Sequence, residues 1–303
     1  MATLRTTIPD LYLSRLAFLE DVLFDEIAIE TGPYASILKV RDMGNKPFVR
    51  TTTVGSFGVV PIKAEGANVM YDDLAQGFDK TYTADTYELA FRASKEALDD
   101  EQEEVVSDAA RALGSSLNYT YNVDHANLFN NGFTSTTGSP DGVALFSASH
   151  PLISGGTGSN TFGTQADLSV TAIRDALNTI ADTTDDAGKL IHWRPRVLYV
   201  PMELSWLAKE LVRSTNRPDT SDNAINAFKD DNLEVVVDEY LTDADAWFLL
   251  SEPRMHNVRT YWRERANTYH DWDFDASAMK CKVRARWIRG WSDWRGVFGS
   301  SGA

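Results

Sequence analysis

Residues 101–129, EQEEVVSDAARALGSSLNYTYNVDHANLF, carry the clearest helical pattern in the chain. Val106, Ala109, Ala110, Leu113, Leu117, Tyr121 and Leu128 recur at helical spacing and form one apolar stripe. Acidic residues open the segment, where they suit the positive end of a helix dipole, and Asn130-Asn131-Gly132 closes it. At 1.5 Å per residue such a helix is roughly 43 Å long. A compact chain of 303 residues measures about 50 Å across. The spacing therefore predicts a rod that crosses most of the molecule.

The sequence before the rod has a different character. Pro9 to Glu30 reads as a helix, with Tyr12, Leu16, Leu19, Leu23 and Ile27 in step and Gly32-Pro33 as its stop. From Ile37 to Thr86 turn formers recur at Gly44-Asn45, Gly55, Gly58, Pro61, Gly66 and Gly77. They separate short β-rich runs such as Phe48–Val54 and Val69–Tyr71. This is the pattern of an extended hairpin with little apolar material to pack beneath it. An isolated two-stranded ribbon is marginal in water, so a neighbouring copy is the simplest cover for it. Lys80 to Ala93 alternates as one strand leading back towards the rod.

Beyond the rod, Thr134–Thr164 is rich in Gly, Ser, Thr and Asn and reads as loop, apart from the apolar run Val143–Phe146. Helices are expected over Leu168–Thr183 and Met202–Ser214. Buried strands are expected at Val197–Val200, Leu233–Val237 and Trp247–Leu250. The tail from Met255 to Phe298 is strand-like and carries Trp262, Trp272, Trp287, Trp291 and Trp294, which read as core or interface anchors. The fold class is α+β, a mixed α/β arrangement.

Composition narrows the function. Hydrophobic residues make up 43% of the chain, enough for a real core. The formal net charge of −15 argues against a reader of nucleic-acid sequence. No apolar run reaches the length of a membrane span, and no secretory leader is visible, so the expected place of synthesis is the cytoplasm of the host cell. A single cysteine, Cys281, excludes an intrachain disulfide and multi-thiolate metal sites. Charge is uneven. Asp99, Asp100, Glu101, Glu103, Glu104 and Asp108 form an acidic block, and Lys280, Lys282, Arg284, Arg286, Arg289 and Arg295 a basic one. The two are either solvated faces of one subunit or complementary patches of successive copies.

Enzyme signatures are missing or incomplete. Gly188-Lys189 lacks the rest of a phosphate loop, and Gly156-Thr157-Gly158 lacks the third glycine of a dinucleotide fingerprint. Ser147, Ser149 and His150, with Asp141 nearby, are the one nucleophile–base grouping, and a polar loop fixed by His150 is the plainer account. Asp271, Asp273 and Asp275 resemble the start of a calcium loop, but Ala276 and Lys282 stand where that loop needs glycine and a bidentate acid. His125, His192, His256 and His270 have no ligand spacing. No catalytic, cofactor or metal residue is expected, and no enzyme; a Ser149/His150 hydrolase is the enzyme alternative.

Four stretches in order resemble the major head subunits of tailed bacteriophages related to the Mu-type head protein. They are Asp141-Gly-Val-Ala-Leu-Phe-Ser-Ala-Ser-His-Pro151, Pro195-Arg-Val-Leu-Tyr-Val-Pro201, Ala246-Trp-Phe-Leu-Leu250, and Asp293-Trp-Arg-Gly296 with the terminus that follows. The resemblance implies the tailed-phage capsid fold: an N-terminal arm (1–41) and an extended loop (42–80), then a peripheral domain (81–165 and 251–303) with a spine helix near 101–129, and an axial domain (166–250). It implies a major capsid protein whose copies form pentamers and hexamers of an icosahedral shell around double-stranded DNA, held without sequence-specific contacts. A portal and a decoration protein are implied partners. The short arm implies a separate scaffolding protein. Some members crosslink a lysine to an asparagine between subunits; Lys63 lies in the ribbon, but no partner asparagine is identified. An encapsulin-like shell around a cargo enzyme is the alternative within the same fold.

Overall fold

Two four-stranded sheets share one long helix. The computed structural model describes residues 33–66, 68–99, 103–214, 228 and 233–303. The expected helix over Pro9–Glu30 lies outside those residues, as do Asp100 and Glu101 of the acidic block. In chain order, a short helix α1 (Tyr34–Ile37) leads into β1 (Lys39–Asp42), the hairpin strands β2 (Val49–Val54) and β3 (Gln76–Tyr82), and β4 (Asp85–Ser94). Then come α2 (Lys95–Asp99) and the rod α3 (Glu103–Asn130). A small hairpin follows, β5 (His150–Pro151) with β6 (Thr157–Gly158). Next are α4 (Val170–Ala181), β7 (Val197–Pro201), α5 (Ser205–Arg213), β8 (Glu234–Asp238) and β9 (Trp247–Leu250). The chain ends with β10 (Val258–Asp273), β11 (Ala278–Trp291) and β12 (Val297–Ser300).

The rod's stripe packs against the first sheet, ordered β1-β10-β11-β4. Val106, Ala110, Leu113, Leu117, Tyr121, Ala126 and Phe129 are buried in one cluster with Met279, Cys281, Val283, Ala285 and Trp287, which alternate along β11. Tyr121 stacks on Trp262 at 5.3 Å, and Tyr87 on Trp287 at 3.9 Å. Trp287 donates from Nε1 to Asp124 at 3.0 Å. The helix ends at Asn130, and in the turn that follows the missing side chain of Gly132 admits the Phe146 ring: a Cβ there would lie 2.8 Å from it.

The second sheet runs β12-β9-β7-β8. Both of its faces are covered. Val197 and Tyr199 of β7 face the rod's cluster, whereas Leu198 and Val200 face α4 and α5 through Ala172, Ile173, Ala176, Ile180, Ala208, Leu211 and Val212. The α4 N-terminus is capped by Ser169, whose hydroxyl accepts from the Ala172 amide at 3.1 Å.

The structure corrects the expected single strand over Lys80–Ala93. The chain changes partner at Thr83-Ala84, with β3 pairing with β2 and β4 pairing with β11. Tyr82 and Ala84 are held in a small cluster with Met43 and Tyr261, which fixes the break. Val69–Tyr71, expected as a β-rich run, joins no strand.

Two histidines are sealed in this core. His125 lies between the Tyr121 carbonyl and the Thr260 hydroxyl, each at 2.7 Å. Burial, with Arg289 acting in the same direction, lowers its pKa to about 3. Burial, with Lys39 and Arg259, lowers that of His256 to about 4. Both values fall below the ordinary 6.5. Above pH 6.5 the contribution is complete. Below it the unfolded chain takes up protons that the folded chain refuses, so stability falls as pH drops towards those lower values. The expected slope is about 1.4 kcal/mol per pH unit for each histidine. Denaturant unfolding between pH 6 and pH 4.5 should show this decline, and His125→Gln should remove about half of it. An unchanged slope in that variant would refute the assignment.

Candidate functional site: an exposed loop and the clasp beneath it

The β2–β3 hairpin is tied along its base and bare at its far end. Phe78 donates its amide to the Thr53 hydroxyl at 2.7 Å, and Arg50 and Thr52 both hold Asp79. Their hydrogen bonds keep that carboxyl below its ordinary 3.8. Ser56 donates to Asp185 at 2.6 Å. Gly77 sits so close to Ile153 that a Cβ would come within 2.5 Å of it. The two legs last meet where the Gly58 amide reaches Asp72 at 2.7 Å. Around and beyond that point Phe57, Val59, Val60, Ile62, Val69, Met70, Tyr71 and Leu74 face solvent, Val60 at 89% and Tyr71 at 93% exposure. Burying one such side chain stabilises by roughly 1.5–3 kcal/mol. A contiguous exposed apolar set of this kind marks an interaction surface.

Beneath the hairpin base, residues from four parts of the chain form a clasp. His150 is fully buried, with Nδ1 2.7 Å from Asp141 and Nε2 3.2 Å from the side-chain oxygen of Asn160. Asn160 is oriented by the Ser147 amide, which donates to its oxygen at 2.9 Å, and by the Leu145 carbonyl, which accepts from its nitrogen at 2.8 Å. Both ring nitrogens of His150 therefore face oxygen acceptors, and neither is turned to a serine. Ser149 is exposed, its hydroxyl 3.5 Å from that of Ser147. The grouping expected as a nucleophile and base is brought together only as Asp141 with His150, in a geometry that fixes the loop.

The Asp293-Trp-Arg-Gly296 stretch closes the clasp from the other side. Trp294 stacks on His150 at 4.8 Å and 8°. Arg295 lies over the Trp294 ring and pairs with Asp186 at 3.1 Å, and Asp186 also accepts from the Ile153 amide at 3.2 Å. Gly296 has φ +87°, and a Cβ there would approach the His256 backbone at 3.0 Å. The clasp thus joins the 141–160 loop to the second sheet and sets Ile153 against the hairpin.

The other sequence candidates have structural roles. Asp273 accepts the amides of Asp275 and Ala276 and pairs with Lys280 at 2.6 Å, shaping the β10–β11 turn. The basic block is largely neutralised within its own chain: Lys282 and Arg284 meet Glu88, Arg289 meets Asp124 and Arg295 meets Asp186. The block therefore has carboxylate partners on its own chain. Trp262, Trp287, Trp291 and Trp294 are core residues, and Trp272 is partly exposed. Lys63 is exposed in the loop. His125 and His256 are buried, and His192 and His270 are exposed.

One cluster had no signal in the sequence. The hydroxyls of Tyr34 and Tyr199 both reach one oxygen of Asp238, and the Tyr240 amide donates to the other at 2.9 Å. Burial, reinforced by Asp238, holds both tyrosines above their ordinary 10.0 and so keeps them as donors. This ties the start of the described chain to the end of β8.

A family described as phage capsid protein matches residues 78–299. Comparison with curated proteins gave no significant sequence match. Among solved structures, the capsid of cyanophage P-SCSP1u aligns over 89% of this chain and 88% of its own, with a TM-score of 0.59 and 10% identity. The capsid of Myoviridae phage XM1 aligns over 91% and 92%, with a TM-score of 0.55 and 12% identity. The capsid of bacteriophage JBD30 decorated with minor capsid protein trimers aligns over 70% and 91%, with a TM-score of 0.53 and 14% identity. The chain belongs to the phage capsid protein family and has the fold of tailed-phage capsids.

The clasp can be tested apart from assembly. Asn160→Leu strands the Ser147 amide, the Leu145 carbonyl and the His150 ring in a buried site, with an expected loss of about 2–4 kcal/mol in denaturant unfolding. Ser149→Ala, at an exposed position, should shift stability by less than about 0.5 kcal/mol. Equal effects from the two would show that the network does not hold the loop.

Proposed function

We infer that the chain is the major, shell-forming subunit of a tailed-phage head, whose copies build pentamers and hexamers of an icosahedral container for double-stranded DNA. The observation that carries this beyond family membership is the bare end of the hairpin. Its apolar residues find no cover among the described residues of their own chain, so the subunit gains from a neighbour what it lacks alone. On this reading 1–41 is the arm, 42–80 the extended loop, 81–165 with 251–303 the peripheral domain and 166–250 the axial domain. The clasp is then the joint between the two domains and the loop.

The net charge of −15 suits a wall that stores DNA without gripping it. Assembly takes place in the host bacterial cytoplasm, with a scaffolding protein, a portal and a decoration protein as partners. The decorated JBD30 capsid, a fold relative, supports the last of these. An encapsulin-like shell shares the fold and differs in its contents, protein rather than DNA.

Expressed alone, the protein should give rings, tubes or shells by electron microscopy. Removing residues from Val54 through Gly77 should abolish them while leaving a folded subunit, judged by a cooperative unfolding transition. Normal shells from the shortened protein would refute the role of the loop, and a clean monomer at high concentration from the intact chain would refute the function.

A further inference from the structure

β4 is an edge strand with unusual freedom. It lies at the end of the first sheet and, among the described residues, pairs only with β11, across ten residues without a register shift. At 3.4 Å per residue its open side is about 34 Å long. Edge strands are normally blunted by brevity, a proline, a bulge, an inward lysine or other charged side chains. The sequence Asp-Thr-Tyr-Glu-Leu-Ala-Phe-Arg-Ala-Ser is long and has no proline, bulge or lysine; of its three charged residues, Glu88 is taken up by Lys282 and Arg284 of β11. Leu89 is 53% exposed on it. The other ends of the two large sheets, β1, β8 and β12, have four or five residues each. A row of unpaired amides and carbonyls this long invites a strand from elsewhere.

The same chain carries strand material without a partner. Past the Gly58–Asp72 contact, Val59-Val60-Pro61-Ile62 is unpaired, β-branched and exposed. Its proline fits only one placement. Pro61 has no N–H to donate, so its nitrogen must face away from an acceptor strand, which turns the amides of Val60 and Ile62 towards it. A strand added at an edge becomes the new edge, where that arrangement is tolerated. The chain's own β4 is badly placed to receive it. The hairpin leaves the sheet at the Gly290 end of β11, where Tyr82 packs, and is tied onward to Asp185 and Ile153. β4 runs the other way, from Asp85 opposite Trp287 to Ser94 opposite Ala278.

We propose that the Val59–Ile62 segment of one copy adds as a fifth strand to the free edge of β4 in a second copy. The inference rests on the shell-forming reading and names what the loop grips there. Donor and acceptor are different surfaces of one chain, so the contact is head-to-tail and repeats from copy to copy, which closes into a ring when the rotation allows. Main-chain hydrogen bonds supply the attachment, and the β-branched side chains are covered by the neighbouring sheet.

Cysteines placed singly at Val59, Val60 or Lys63 and singly at Leu89 or Ala90 test this in assembled particles. Each single variant is a control for the buried native Cys281. Combining a loop cysteine with a β4 cysteine in one chain should convert most of the protein into a ladder of disulfide-linked oligomers on a non-reducing gel. The singles should stay at monomer mobility. Hydrogen exchange on the unmodified protein gives a second measurement: β4 amides should exchange at least about tenfold more slowly in particles than in free subunits. Shells that form normally with neither crosslinks nor added protection at β4 overturn the inference and leave the capsid function standing. Protection at β4 together with crosslinks to residues 1–32 in place of the loop also overturns it.

Discussion

Burial of the α3 stripe against the inner face of β11 is the contact on which everything else is hung. Alternate residues of β11 from Met279 to Trp287 meet the helix, and the rod's last turns reach Tyr199 and Phe248 of the second sheet. One element therefore belongs to both cores. Loss of its packing would separate the two sheets and free the clasp that seats the hairpin, so the aromatic set around Tyr121, Trp262 and Trp287 has more than local weight.

Much of this was readable from spacing. The α3 stripe repeats at helical intervals because one side of the rod is buried and the other wet, and its observed end at Asn130 lies one residue from the expectation. Val197–Pro201 and Trp247–Leu250 read as uninterrupted apolar runs because both faces of their sheet are covered. The hairpin was legible through what it lacked, an apolar partner beneath it. The break between β3 and β4 was not legible, since the alternation of Tyr82, Ala84 and Thr86 runs through it and the small cluster with Met43 and Tyr261 leaves no local mark.

The clasp was hidden for another reason. Asp141, His150, Asn160, Asp186 and Trp294 come from distant positions, and their loop has the polar, glycine-rich composition of a solvated connection. Yet Asn160, Thr161 and His150 are among the most buried polar residues described. Composition reports average exposure, and a buried loop satisfied by side-chain amides and carbonyls defeats it. The likeness to head proteins was nonetheless carried by these very stretches. Asp293-Trp-Arg-Gly296 supplies a turn cap, a stacking ring, an ion pair and a left-handed residue in four consecutive positions.

The internal neutralisation of the basic block has a thermodynamic corollary. Lys280, Lys282, Arg284, Arg289 and Arg295 are already matched to carboxylates of their own chain, and the apolar side chains at the end of the hairpin are the exposed material left for a neighbour. Apolar cohesion gains from salt, because the net charge of −15 makes copies repel until that repulsion is screened. It also weakens on cooling, as the entropic drive to release water from hydrocarbon fades. Association of copies held this way is favoured by brine and opposed by cold.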